Sequence, residues 1–106
     1  MRRIIGCLMA CSIWLPLALS AQEPPEVTRL QKGMPPAVAE LIARIVDCNH
    51  WQGEEPYNAA RASEIAHAIA GSRCASLEAD EAAALASFGQ VAGVRKAVAA
   101  AKEIYL

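Results

Sequence analysis

Eleven consecutive positions, Asp47 to Tyr57 (DCNHWQGEEPY), hold a cysteine, a histidine, a tryptophan, a tyrosine and three carboxylates. Imidazole nitrogens and carboxylate oxygens are ligands for zinc, nickel or copper. The only histidines are His50 and His67, so a metal reading rests on that pair, with Asp47 and Glu64 nearby. The usual spacing is missing: there is no HxxxH and no pair of CxxC motifs. Glu54 and Glu55 resemble an acid and base for hydrolysis, but directly before Pro56 they read more simply as the acidic start of a helix, which the helix dipole favours. Ser63, Glu64 and His67 share a helical face, yet no glycine-rich turn supplies an oxyanion hole beside them. Thiol redox chemistry calls for a CxxC at a helix start, whereas Cys48 and Cys74 are far apart in the chain. The residues therefore argue against an enzyme, and no cofactor motif is present.

The compartment follows from the N-terminus, MRRIIGCLMACSIWLPLALSAQ. Two arginines, an apolar run from Ile4 to Leu19 and small residues before a polar stretch form the layout of a secretory signal peptide. Cleavage is expected after Ala21, with Ser20 the second choice. A membrane anchor fits less well, because the run falls short of the roughly 20 residues needed to span and contains Pro16. Leu8-Met9-Ala10-Cys11 also resembles a bacterial lipoprotein cleavage motif, but acylation at Cys11 would leave an apolar stretch on the mature chain. A periplasmic or secreted protein is the expectation, with no stable membrane insertion after cleavage.

Removing residues 1–21 leaves enough chain for one small domain. Arg2 and Arg3 depart with the signal, leaving eight basic residues against eleven acidic ones and a formal charge of −3. No basic stripe remains that could neutralise a run of phosphates, so nucleic acid is excluded as a partner. Cys7 and Cys11 also depart. In an oxidising compartment the remaining pair, Cys48 and Cys74, is expected to form one intrachain disulfide.

An all-α domain of about four short helices must position these groups. Residues 22–35 carry three prolines and one glycine and are expected to form an extended or disordered leader, ahead of a single helical domain over 36–106. Val38, Leu41, Ile42, Ile45 and Val46 recur at helical spacing and place a first helix over Pro36–Asp47. A second is expected over Pro56–Ala70, a third over Leu77–Phe88 and a fourth over Gln90–Ile104. The apolar side of VRKAVAAAKEIYL is mostly alanine and valine, which suits core packing better than a membrane surface.

These boundaries set a geometric problem. In a plain antiparallel hairpin Cys48 and Cys74 fall at opposite ends of a second helix about 22 Å long, whereas bridged Cα atoms lie within about 7 Å. An extended strap over residues 49–55, laid back along the second helix, would solve it. The expected function is a non-enzymatic binding or accessory module of the bacterial envelope. Its partner, an envelope protein, would be met through His50, Trp51, Glu54, Glu55 and Tyr57. The alternative is a periplasmic metal-binding protein using His50 and His67.

Overall fold

The computed structural model describes residues 24–106; the signal-peptide, lipoprotein and anchor readings lie outside the described residues. Five helices are formed among the described residues: α1 (Pro25–Gln31), α2 (Pro36–Gln52), α3 (Ala59–Gly71), α4 (Leu77–Phe88) and α5 (Val94–Glu103). A 3-10 turn, Cys74–Ser76, joins α3 to α4. No strand occurs among the described residues, so the all-α expectation holds.

The central element is α2. Its Val38, Leu41, Ile42, Ile45 and Val46 are all buried, as the three-four spacing predicts. They pack with Val94, Ala97, Val98 and Ala101 of α5 and with Val27 of α1. Leu77, Ala84, Leu85 and Phe88 bring α4 against the same core from its partly buried side. Met34 meets Gly93, and Asn49 meets Lys102 and Ile104, so α5 runs in the same direction as α2. In contrast, α1 and α4 run against it. Gln31 at the end of α1 donates to the Ala39 carbonyl at 2.9 Å, and Asp80 at the start of α4 meets Arg44.

Helix α1 corrects the leader expectation. Pro25, read as part of an extended leader, opens a helix, and Pro36 opens the next as its spacing predicts; each occupies the first turn, where a missing N–H costs nothing. Between them Gly33, at φ 76°, reverses the chain. Val27 is then buried at 1% exposure, and that contact secures a helix of seven residues.

The strap is also corrected. Nothing in Asn49–Gln52 breaks a helix, and α2 continues through those residues until Gly53. The next helix starts three residues after Pro56, because the extended Asn58 caps it by accepting from the Arg61 N–H at 2.8 Å. The fourth predicted helix likewise begins later, after the left-handed Gly93. Only the span Leu77–Phe88 is matched at both ends.

The disulfide nonetheless forms, with Cys48 and Cys74 Cα atoms 5.7 Å apart. Arg61 of α3 reaches Trp51, and Ser72 just past its end reaches Arg44 and Cys48. Those two α3 points are about 16 Å apart along the axis, while their partners on α2 are only about 5–10 Å apart. Helix α3 therefore crosses α2 at an inclination. The left-handed Arg73, φ 52°, then turns Cys74 back onto Cys48. Oblique crossing and a tight turn do what an extended strap was expected to do.

Candidate functional site

The C-terminal end of α2 gathers most of the residues singled out by sequence. His50 and Trp51 lie in its last turn, edge to face with ring centroids 5.1 Å apart. Asn49 donates to the carbonyls of Lys102 and Ile104 at 3.1 and 3.0 Å, fixing the end of α5 beside them. Tyr105, in a left-handed conformation at φ 66°, then folds onto His50 with a centroid distance of 5.1 Å.

Glu54 is the centre of the charge arrangement. One carboxylate oxygen lies 3.6 Å from His50 Nε2 and the other accepts from Arg61 at 3.0 Å. Arg61 also meets Glu64 at 3.0 Å, and its guanidinium lies over the Trp51 ring, 5.2 Å from the centroid. A cation over an indole face is attracted by the ring quadrupole, so Arg61 binds two carboxylates and a π-face together. Both carboxylates push the guanidinium further up from its ordinary value.

The loop between α2 and α3 is held at both ends, by Glu54 on Arg61 and by the Asn58 cap. Between those ties Glu55 is exposed and Tyr57 is 80% exposed. Thus Glu54 is spent within the fold while Glu55 and Tyr57 face outward. The sequence reading grouped all three as one surface, and the structure divides their roles.

His67 stands elsewhere. It is exposed on α3, about 200° around the helix from the buried Ile65 that faces the core. Glu64 is turned to Arg61. No group of three or more His, Cys, Asp or Glu positioned to hold a metal ion occurs among the described residues. No helix among them is long and apolar enough to cross a membrane.

A second cluster, missed by sequence reasoning, surrounds Arg44. Its side chain is only 12% exposed; it donates to the carbonyls of Ser72 and Arg73 at 3.0 and 3.1 Å and to Asp80 at 2.8 Å. Ser76 donates to the same Asp80 carboxylate at 3.0 Å, and Arg73 pairs with Glu40. A lone arginine on an apolar helix face was the available signal. Its partners, two backbone carbonyls in a distant turn, have no sequence pattern.

Two aspartates on these clusters respond to acid in opposite senses. The hydrogen bond from Arg44, helped by that from Ser76, lowers the Asp80 carboxyl below its ordinary 3.8. Its contribution is therefore complete above pH 3.8 and is lost as pH falls through the lowered value. Asp47 lies on an outer side of α2, yet partial desolvation raises its carboxyl above 3.8, opposed by the nearby His50. Its contribution is complete below 3.8 and is lost as pH rises through the raised value. Denaturant midpoints recorded across this range are expected to fall less steeply in acid for Asp80→Asn than for the parent, and more steeply for Asp47→Asn. Parallel profiles for all three proteins would contradict both assignments.

The chain matches no protein-family model, no curated protein and no solved structure.

Proposed function

We propose that the protein is a small exported module of the bacterial envelope that acts by binding another protein, without catalysis, through the rim at the C-terminal end of α2. The observation that carries this reading is Tyr57, 80% exposed on a loop tied down by Glu54–Arg61 on one side and by the Asn58 cap on the other. An aromatic side chain projecting from a restrained loop presents contact area with little ordering left to do on association. Glu55 beside it adds a carboxylate, and Tyr105 and Leu106, also exposed, lie at the same end of the molecule near His50. Trp51, half-buried under Arg61, supports the rim from beneath. The acid–base groups here are engaged with one another: His50 and Arg61 both meet Glu54, and Glu64 turns to Arg61. That use of charge suits a preorganised surface better than a reacting centre.

The reading is tested by placing a photo-crosslinking amino acid at Tyr57 and irradiating living cells. A discrete adduct with an envelope protein is expected from position 57 and not from position 83 on α4, with at least a tenfold loss when Glu55→Lys and Tyr105→Ala are added. Adducts of equal yield from both positions, or insensitivity to the rim substitutions, would sink the proposal.

A further inference from the structure

The cations of the domain fall into two groups. Arg44, Arg61, Arg73 and Lys102 each stand in an ion pair. Among the described residues Arg29, Lys32, Arg95 and Lys96 stand outside those pairs. All four lie on α1 or α5 or at their ends.

Three of them line one groove. Helices α1 and α5 lie side by side in opposite directions, and two adjoining hollows of about 340 and 200 Å³ run between them, sharing Arg29, Leu30 and Ala100. Leu30, Met34, Ala97 and Ala100 make the floor. Arg29 and Lys32 rise on the α1 side and Lys96 on the α5 side, all exposed. Among the described residues Glu26 is the only carboxylate lining the hollows, at the end toward Ile104. The groove exists because α5 places alanines, not larger residues, at positions 97 and 100.

We infer that the α1–α5 groove docks an acidic segment of a partner protein, a short stretch bearing carboxylates above small apolar side chains. Charge complementarity commits it to that occupant. In a chain whose net charge is negative, a local cationic groove attracts acidic segments while the remaining surface repels them. Arg29 offers a planar fork to one carboxylate, and the lysines across and beside it offer point charges to others. The apolar floor is recessed, with Leu30 and Met34 half-buried, and accepts side chains from outside. An anionic membrane would call for bulky apolar residues protruding from a flat or convex face. This surface lies along α1 and α5, with its Ile104 end beside Tyr105, and does not depend on the function proposed for the Tyr57 loop.

The test uses the purified native protein and a fluorescein-labelled amphipathic peptide of glutamate and leucine about 15 residues long, followed by anisotropy at low and moderate salt. Saturable, salt-sensitive binding is expected. Arg29→Ser with Lys96→Ser should weaken it by about tenfold or more at an unchanged melting temperature. Ala66→Glu with Ala79→Glu, which changes net charge by the same amount on exposed faces of α3 and α4, should alter it less than about twofold. Equal weakening by both pairs would reduce the effect to bulk charge and overturn the proposal, as would absence of saturable binding. Preferential binding to phosphatidylglycerol vesicles lost in the Arg29–Lys96 variant would assign the groove to a lipid surface instead. Self-association lost in that variant would assign it to a second copy.

Discussion

Replacing Cys48 and Cys74 together by alanine is expected to cost about 3 kcal/mol and to lower the melting temperature by roughly 12–24 °C. The bridge closes a loop across a sequence separation of 26, restricting the unfolded chain over both the α2–α3 loop and all of α3. Its weight is large because α3 has little else: Ile65 is its one buried side chain, and its remaining anchors are the Arg61 contacts and the Ser72 carbonyl. The loss should be uneven. Amide exchange is expected to rise first over Ala59–Gly71, while α2 and α5, which share the core, retain protection. A variant melting close to the parent, or exchange rising uniformly, would show that α3 is held by contacts other than the bridge.

Arg44→Met should be nearly as damaging, at about 3 kcal/mol. Methionine keeps an unbranched stem in the same half-buried channel but withdraws three donors from the Ser72 carbonyl, the Arg73 carbonyl and Asp80. The turn left behind contains a non-glycine residue in the left-handed region, a conformation costing roughly 1–2 kcal/mol that its surroundings must offset. Arg44 and the disulfide secure the same turn. Their combined removal is therefore expected to cost less than the sum of the separate losses, by about 1 kcal/mol. Strict additivity in denaturant melts would mean that the two act on separate parts of the fold.

The legible part of this fold was its apolar pattern. Val38, Leu41, Ile42, Ile45 and Val46 announced α2, and Leu77–Phe88 was bounded by an acidic first turn and a glycine stop. The disulfide was legible from cysteine usage. What failed was punctuation: Pro25 starts a helix within the expected leader, and Asn58 outcompetes Pro56 as the start of α3 because a side-chain cap satisfies an N–H that proline cannot. The end of α2 was misplaced because residues 49–55 were given to an extended strap that would let Cys48 reach Cys74, although no residue from Asn49 to Gln52 disfavours helix strongly. At the rim, composition drew attention to eleven residues, but the split between inward Glu54 and outward Glu55 and Tyr57 depends on Arg61, seven residues on in another element. The Arg44 network was illegible because backbone carbonyls accept regardless of side-chain identity.

The proposed role requires an exported domain, closed by one bridge and functioning through its surface without a bound metal. Intact mass of the native protein recovered from the bacterial envelope, sprayed from non-denaturing buffer and again after denaturation without reductant, tests those requirements together. The predicted result is a chain beginning at Gln22, lighter than the reduced mass by the two hydrogens of one disulfide, with no metal ion retained. A chain still carrying Met1, an acyl group on Cys11, a covalent dimer or a stoichiometric metal ion would contradict it.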